Sequence, residues 1–368
     1  MIKKINILVD CHVFDHGFQG TTSYIRGLYT EMIKNDAFEY YLIAAHPEKI
    51  EKVFGNHAHV FYLKYKSKNK FIRLLFELPW TIFKNKIDFA HFQYIVPPIK
   101  LSKYIVNIHD LIFKEFPEQF PLSYRIEKGI LFYLGAKSAD ILLTISKYSE
   151  KKIGEYFKIK KQFITPIAVD DVFYEKYNKV EVQNYVKDNF GIENYFIYVS
   201  RWEPRKNHQS LLKTFVEFKF YEKYQLVFVG DVSIENKEFD SIYHNLNEDI
   251  KKKIILLKGI DFPNLIQLIR GARLSVYPSI GEGFGIPPLE TIAAEIPTVC
   301  SNATALGEFT FLKEYSFDPY NLDQMKMSID KALEYYPTKE FKILIQEKYN
   351  WKDSAQLLTT EIQNILKR

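Results

Sequence analysis

The sequence predicts an α/β protein with two doubly wound parallel sheets, and three observations support this. The chain has 368 residues, and since one domain takes roughly 100 to 200 residues, we expect two domains. Short apolar runs alternate with longer amphipathic stretches from end to end. Runs that are apolar on both faces and separated by helical spacing are typical of parallel sheets covered by helices on both sides.

The predicted strands form two series. The first comprises Ile5–Val9, Tyr40–Ala44, Phe89–Phe92, Tyr104–Ile108 and Ile141–Ile145. The second comprises Phe196–Val199, Gln225–Val229, Ile254–Leu257, Leu274–Tyr277 and Thr298–Cys300. A polar stretch at residues 170–194 separates them and predicts the domain junction. We therefore expect an N-terminal acceptor domain at residues 1–172 and a C-terminal donor domain at 173–350. The cleft between them is the expected ligand site, because open parallel sheets bind ligands outside the carboxyl ends of their strands.

Composition excludes several classes of protein. Fifty Lys and Arg residues against 45 Asp and Glu give a net charge of +5, which argues against a nucleic-acid-coating protein. Two cysteines, Cys11 and Cys300, are too few for a disulfide framework and favour a reducing, cytoplasmic location. The N-terminus reads as a first strand and not as a signal peptide. No apolar stretch is long enough to span a bilayer, so any membrane contact is expected to be peripheral.

A glycine-rich loop enters a helix after the predicted strand Leu274–Tyr277. Residues 278–294 hold three closely spaced glycines and then Pro288, which suits the first position of a helix. Glycine allows backbone amides to approach a ligand, and the start of a helix favours phosphate. The alternative is a plain strand-to-helix turn without a ligand.

Two carboxylates lie in the same segment. We expect Glu290 in the first helical turn, where the helix dipole alone explains an acid. Glu282 has no such helical reason. Because a carboxylate repels phosphate, its partners are expected to be hydroxyl groups, as on a sugar or ribose beside the phosphates.

A cationic segment follows the strand Phe196–Val199 and is the second candidate ligand-binding segment. Arg201 and Lys206 are expected at the carboxyl end of this strand, where two cations hold a diphosphate without a metal. The alternative is a solvated charge run, since residues 201–206 can form salt bridges among themselves.

The first domain offers weaker signals. Gly20, with three hydroxyl residues after it, suits a loop and helix start. His109 ends the strand Tyr104–Ile108 and is expected at the cleft as a proton donor or sugar partner, although a structural role is the alternative.

The sequence lacks the motifs of P-loop kinases, dinucleotide dehydrogenases, zinc proteases and serine hydrolases, and it also lacks an Asp-x-Asp metal clamp.

These segments, in this order, resemble the retaining family-4 glycosyltransferases of the GT-B fold, in particular the O-antigen and mannosyltransferase type. Residues 282–290 look like the family's Glu-x7-Glu motif, and residues 200–207 look like its Gly-Arg-Leu-x-Pro-x-Lys-Asn segment. The similarity continues through residues 107–112, 144–149, 227–231 and 301–303.

The resemblance implies a role for each matching residue. Arg201 and Lys206 would hold the donor diphosphate, Glu282 the donor-sugar hydroxyls, Glu290 the ribose, and His109 the sugar or the developing charge. The catalytic residues that it implies are Glu282, His109, Arg201 and Lys206, and the donor-binding residues are Gly20, Gly283, Phe284, Gly285, Ile286 and Glu290. Gln19 replaces the first glycine of the family's N-terminal loop, and Ser200 replaces a usual glycine.

The resemblance also implies an activity. We expect a retaining, metal-independent transfer of a hexose, first of all mannose from GDP-mannose, to a lipid-linked or surface-polysaccharide acceptor, with no cofactor. The rivals are a UDP-sugar transferase, a nucleotide-sugar 2-epimerase and a non-catalytic nucleotide-sugar-binding partner. Retention is expected through same-face attack, with a covalent intermediate on Glu282 as the alternative.

Two further segments carry expectations about packing and membrane contact. The helix at 351–368 would pack back onto the first domain. The basic, aromatic segment 66–80 is expected either to pack as a core helix or to rest on the inner face of the cytoplasmic membrane.

Overall fold

The computed structural model describes residues 4–15, 20–67 and 69–367. The chain divides into two compact units, Met1–Ile167 with Asn350–Arg368, and Ala168–Tyr349. The division after Ile167 precedes the predicted boundary at residue 172. The stretch 170–194, where the junction was predicted, contains a capped helix, Lys179–Phe190, that belongs to the second unit. Gln19 and Lys68 lie outside the described residues.

The first unit contains a seven-stranded sheet whose neighbouring strands run parallel. Its strands are β1 Ile5–Asp10, β2 Phe38–Ala44, β3 Val60–Lys64, β4 Phe89–Gln93, β5 Lys103–Asn107, β6 Ile141–Thr144 and β7 Phe163–Ile164. Its helices are α1 Gly20–Met32, α2 Pro47–Phe54, α3 Lys70–Ile72, α4 Leu78–Lys84, α5 Ile112–Glu115, α6 Leu122–Ser138, α7 Lys147–Phe157 and α16 Trp351–Leu366. A π-helical turn at Arg73–Glu77 joins α3 to α4. All five residues of β4 are buried, as expected of a central strand covered on both faces.

The C-terminal helix α16 packs on α1 within the first unit. A Cβ atom at Gly27 would overlap the indole ring of Trp351, so this contact requires glycine. Farther along α16, the Thr359 hydroxyl donates to the sulfur of Met32 at 3.4 Å. The close approach of the two helices therefore depends on a small residue in α1.

The second unit contains a six-stranded sheet with the same parallel arrangement. Its strands are β8 Tyr195–Val199, β9 Gln225–Val229, β10 Ile254–Leu257, β11 Leu274–Tyr277, β12 Thr298–Ser301 and β13 Ser316–Phe317. Its helices are α8 Lys179–Phe190, α9 His208–Glu217, α10 Lys237–His244, α11 Glu248–Lys251, α12 Phe262–Gly271, α13 Ile286–Ala293, α14 Leu322–Glu334 and α15 Thr338–Lys348. The prediction of two doubly wound parallel sheets is confirmed.

Both sheets reverse their strand order beside their first strand. The orders are β3-β2-β1-β4-β5-β6-β7 and β10-β9-β8-β11-β12-β13, so the reversals lie between β1 and β4 and between β8 and β11. At such a switch point the loops that leave the two strands diverge and open a crevice for a ligand. The two loops that carry the predicted donor residues leave β8 and β11, the strands on either side of the second reversal.

In the parts of the chain at 4–15, 20–67 and 69–367, no helix is both long and apolar enough to cross a bilayer.

Candidate active site

The loop after β8 is held by aromatic packing and by one asparagine. The ring of Trp202 stacks on His208 with centroids 4.1 Å apart, and its backbone bridges to Val232. Asn207 adopts a left-handed conformation, and its side-chain amide donates to the carbonyls of Pro278 and Pro319. The loop after β8 is thereby tied directly to the loop after β11.

The loop after β11 is fixed at both ends. The backbone N–H of Ile280 donates to the Arg205 carbonyl at 2.8 Å, and that of Glu282 donates to the Thr304 hydroxyl at 2.9 Å. Gly285 has φ of +96°, and a Cβ there would overlap Leu306, so glycine is required on both counts. The loop conformation therefore depends on glycine at this position.

Helix α13 begins two residues earlier than expected. Gly285 is its N-cap and Ile286 its first residue, so Pro288 is the third residue and not the first. Prolines fit there because the first N–H groups of a helix have no intrahelical partner. Glu290 consequently lies beyond the first turn, and the helix dipole does not explain it.

Four charged side chains of the segment after β8 form a chain of ion pairs with Glu282 of the loop after β11. Lys206 Nζ lies 2.6 Å from Glu282 Oε1, and Arg205 Nη1 lies 3.3 Å from Glu282 Oε2. Arg205 Nη2 is 2.6 Å from Glu203 Oε2, and Arg201 Nε is 3.7 Å from Glu203 Oε1. Arg205 also donates to the Gly281 carbonyl at 2.5 Å. We call Arg201, Glu203, Arg205, Lys206 and Glu282 the site network.

The site network keeps Glu282 ionised. Burial raises the pKa of this carboxyl, but Lys206 and Arg205 beside it outweigh burial and hold the pKa below its ordinary value. Burial lowers the pKa of Lys206, and Glu282 opposes that effect. The interior of the network is thus a set of paired charges that stabilise one another.

Arg201 and Lys206, which were both predicted to hold the diphosphate, differ in their exposure to solvent. The Arg201 side chain is 68% exposed, whereas that of Lys206 is 12% exposed. The sequence interpretation missed Arg205 and Glu203, which connect the two cations. The sequence around Arg205 does not indicate a site role, because the partners of Arg205 in the loop after β11 are about 76 residues away along the chain.

Glu290 lies on α13 in the second unit. Burial, with a smaller contribution from the nearby carboxylate of Asp170, raises its pKa from 4.5 to about 7. This carboxyl therefore titrates near neutral pH.

The remaining predicted donor residues lie around the start of α13. Gly283 is buried and Ile286 is half-buried. The Phe284 ring packs edge-on against Phe309 and Tyr349, with centroids 5.9 and 5.6 Å away. The Phe284 side chain is therefore part of the packing, and a ligand role there falls to the backbone.

His109 follows β5 in the first unit and is buried among polar and aromatic groups. Its Nε2 lies 2.7 Å from Gln93 Oε1. Gln93 Nε2 contacts His91 Nε2 at 3.5 Å, and His91 Nδ1 contacts the Tyr29 hydroxyl at 2.8 Å. The Asn107 amide nitrogen lies 3.2 Å from the same Nε2. Because the shorter contact of Nε2 is to the Gln93 amide oxygen, which only accepts, we assign the ring proton to Nε2. The ring of Tyr24 packs edge-on against that of His109.

Burial also determines the charge of His109. It lowers the pKa of this ring from 6.5 to about 3, so the imidazole is neutral at physiological pH. A neutral ring can take part in hydrogen bonds with a sugar but supplies no positive charge. Of the two roles that the resemblance implies, sugar contact suits this geometry.

Gly20 is the first residue of α1. A Cβ placed there would meet no heavy atom of the described residues within 4 Å. Packing within the described chain therefore does not explain this glycine.

Within the described ranges 4–15, 20–67 and 69–367, no three His, Cys, Asp or Glu side chains are grouped so that they could hold a metal ion.

Comparison with known proteins relates the chain to glycosyltransferases. A sequence model of the family described as "Glycosyl transferases group 1" matches residues 183–351, a range that includes the site network and Glu290. The chain is a glycosyltransferase of the GT-B fold. The prediction of a transferase is confirmed.

Curated relatives point to one group of glycosyltransferases. The chain is 26% identical over 263 residues to O-antigen chain mannosyltransferase B of Escherichia coli, a match that covers 69% of this chain and 68% of that one. It is 24% identical to O-antigen chain mannosyltransferase RfbU of Salmonella typhimurium, covering 68% and 69% of the two chains. The serotype-specific mannosyltransferase WbdA of Escherichia coli is 27% identical over 60% of this chain, a match that spans 28% of that longer protein.

Solved structures agree on the fold. A sucrose-phosphate synthase from Thermosynechococcus elongatus superposes with a TM-score of 0.75 at 15% identity, over 99% of this glycosyltransferase and 100% of that chain. A glycosyltransferase from Rickettsia africae gives a TM-score of 0.73 at 15% identity, covering 99% of each chain. The GT-B prediction is thereby confirmed.

Proposed function

We propose that this glycosyltransferase transfers mannose from GDP-mannose to a lipid-linked or surface-polysaccharide acceptor, with retention of configuration and without a metal ion. The observation that carries the proposal is the site network at the switch point between β8 and β11. Three cations and two carboxylates there offer partners for a diphosphate and for sugar hydroxyls in one crevice.

The cations of the network support departure of the nucleotide. In a glycosyl transfer, negative charge develops on the leaving diphosphate while the sugar becomes oxocarbenium-like. Preorganised cations aimed at that charge lower the barrier, and removal of one such group typically costs about 100-fold to 1000-fold in kcat. We assign this role to Lys206 and Arg201.

The environment of Glu282 supports same-face attack over a covalent intermediate. Each of its carboxylate oxygens is within 3.3 Å of a cation. Such pairing makes the carboxylate less nucleophilic, yet an ionised carboxylate still accepts hydrogen bonds from hydroxyl groups. We therefore assign Glu282 to donor-sugar hydroxyls and the acceptor attack to the face from which the diphosphate leaves.

The choice of donor rests on the curated relatives. The three bacterial relatives are named as mannosyltransferases. A Neurospora crassa relative, 27% identical over 46% of this chain and 34% of its own length, is named as a mannosyltransferase that uses GDP-Man. An Anabaena structure in complex with UDP is 13% identical, so it supports the fold and does not bear on the donor.

A thermal-shift panel of GDP, UDP, CDP, ADP and dTDP tests the donor. A ligand at roughly 100 times its dissociation constant stabilises a protein by about 2.7 kcal/mol, so a shift with GDP alone is expected. Lys206→Met should abolish the shift, whereas Lys213→Met, which removes a half-exposed lysine paired with Glu238, should keep it. A shift with UDP alone would overturn the choice of GDP-mannose.

Two further measurements test the mechanism. Proton NMR of the first-formed product should show the anomeric configuration of the donor, and an inverted product would exclude retention. Turnover should survive EDTA; complete loss with EDTA and recovery with a divalent cation would refute the metal-independent proposal.

We also place the reaction in the cytoplasm, at the inner face of the membrane where a lipid-linked acceptor would lie. Cell fractionation tests the compartment. Recovery of the protein only from an extracytoplasmic fraction would contradict this placement.

A further inference from the structure

Two neighbouring helical segments of the first unit carry an unusual concentration of exposed apolar side chains. One segment runs from α3 through the π-helical turn to α4, at residues 70–84, and the other is α6, Leu122–Ser138. An ion pair with 3.1 Å between Lys70 Nζ and Glu127 Oε1 joins them. We call the outward side of these segments the two-helix surface.

The exposed side chains follow helical spacing along both segments. Successive positions three or four residues apart lie on one side of a helix. In the first segment these are Ile72, Phe76, Trp80 and Phe83, with Phe71 and Leu75 beside them, and in α6 they are Leu122, Ile126, Ile130 and Leu134. Phe76, Trp80 and Phe83 are each 64% to 68% exposed.

The same segments also bury apolar side chains on their inner sides. Leu78 and Ile82 of the first segment and Phe132 and Ala136 of α6 belong to one buried core cluster. The fold of the unit is therefore satisfied by the inner sides alone. Apolar patches that remain exposed on a folded unit mark contact with a membrane or another protein.

The charge around the surface decides between these two. Residues 64–86 contain seven Lys or Arg residues and one Glu, and α6 contains three Lys or Arg residues and one Glu. These two ranges thus carry a net charge of +8 in a chain whose total is +5. A combination of aromatic side chains and surrounding cations is complementary to the headgroup region of an anionic bilayer.

We propose that the two-helix surface docks the protein on an anionic lipid bilayer. Phe76, Trp80 and Phe83 would enter the headgroup and acyl boundary, and the flanking lysines would contact anionic headgroups. Each basic residue close to such a surface contributes about a fivefold gain in binding. The inference extends the proposed function, since a lipid-linked acceptor lies at a bilayer, but the docking itself needs neither donor nor acceptor.

Trp80 provides a direct probe of docking. The chain has three tryptophans, and Trp202 is buried in the second unit. The full chain is mixed with vesicles of phosphatidylethanolamine and phosphatidylglycerol, or of phosphatidylcholine alone, without nucleotide. We expect co-sedimentation and a blue shift of tryptophan emission with the anionic vesicles only. Trp80→Phe should remove most of the shift and keep the co-sedimentation.

Matched variants test whether this surface is responsible. Phe76→Gln with Ile126→Gln should reduce partitioning by about tenfold or more, since two large apolar side chains are lost from the interface. Met327→Gln with Ile343→Gln changes two similarly exposed apolar residues of the second unit and should leave partitioning unchanged. A cooperative thermal unfolding transition without nucleotide shows that each variant folds. Nucleotide-induced shifts of that transition on the same variants test the proposed function separately.

The outcomes separate the possible occupants of the surface. Equal loss of binding in both double variants, or no binding to anionic vesicles, would overturn the proposal. If the protein is a dimer in solution that Phe76→Gln with Ile126→Gln converts to a monomer, and vesicles are not bound, the surface is an interface between two copies of the chain. If binding to anionic vesicles survives the Phe76→Gln and Ile126→Gln changes, the proposal that the two-helix surface docks on the bilayer is also contradicted.

Discussion

The raised pKa of Glu290 predicts that GDP binding strengthens as the pH rises through neutrality. We assign Glu290 to the ribose of the donor, and an ionised carboxylate accepts hydrogen bonds from both ribose hydroxyls. Because the pKa is about 7, the carboxyl is mostly protonated in mildly acidic solution. Protonation removes part of its acceptor capacity, so the nucleotide is held less well.

The size of the effect follows from the pKa. With a pKa of about 7, the ionised fraction is roughly one tenth at about pH 6 and nine tenths at about pH 8. If only the ionised form holds the ribose, the apparent dissociation constant falls by about tenfold between these conditions. The change from 4.5 to about 7 corresponds to about 3 kcal/mol that disfavours ionisation in the free protein.

The same group has an opposite effect on folding stability. Between about pH 4.5 and pH 7 the folded protein binds more protons at Glu290 than the unfolded chain does. The contribution of this group to stability therefore decreases as the pH rises through that window and is constant above it. The free energy of unfolding of the second unit in Glu290→Gln should lack this decrease.

Isothermal titration with GDP at several pH values tests the binding prediction. The terminal phosphate of GDP also titrates near pH 6, so Glu290→Gln measured in parallel supplies the contribution of the nucleotide. Subtraction should leave a tenfold strengthening that belongs to Glu290. If the variant shows the same pH dependence as the natural sequence, the assignment of Glu290 to the ribose is wrong.

Three further predictions follow from packing and charge. Arg205→Met leaves two buried carboxylates with one cation fewer and should destabilise the second unit by about 3 kcal/mol in chemical denaturation. Gln93→Leu removes the acceptor of the Nε2 proton of His109 and leaves the Asn107 amide as a donor to this atom, so nitrogen NMR of the ring should show a shift toward the Nδ1–H tautomer. Gly27→Ala forces a Cβ into the Trp351 ring and should lower the stability of the first unit by about 2 kcal/mol.

Each of these predictions has a conservative control. Arg205→Lys keeps a cation and should recover part of the stability, and Gln93→Glu restores an acceptor and the Nε2–H tautomer. Among the residues that the structure describes, a Cβ at Gly129 in α6 would approach only the Lys114 side chain, so Gly129→Ala should stabilise by about 0.5 kcal/mol or more. A similar loss from Gly27→Ala and Gly129→Ala would contradict the packing argument for α1 and α16.

Strand positions could be predicted where the strands are buried, and less well at the sheet edges. The inner strand β8, Tyr195–Val199, is a continuous apolar run, which is a strong signal for a strand buried in a parallel sheet. The strands that were missed are β3, β7 and β13. β7 and β13 have two residues each, and β3 is an edge strand with only one buried residue. Their formation depends on the neighbouring strand more than on their own residues.

The site could be predicted in its segments but not in its connections. Both loops follow strands, and glycines and charges in those positions indicate a ligand site from the sequence alone. Arg205 could not be predicted, because its partners Glu203 and Glu282 come together only when β8 and β11 pair. The neutral state of His109 likewise depends on burial, which a His-Asp dipeptide does not reveal.

The pairing of Lys206 with Glu282 stabilises a buried ammonium group in the site. Such a group is strongly unfavourable without a partner, and Glu282 supplies one at 2.6 Å. A diphosphate offers Lys206 a second anion, and we propose that Lys206 then shares its charge with phosphate and leaves Glu282 Oε1 open to sugar hydroxyls. Arg205 remains bound to Oε2 and to the Gly281 carbonyl, which keeps the carboxylate in place during this exchange. Recognition of the phosphate and recognition of the sugar are then two consequences of one rearrangement within the site network.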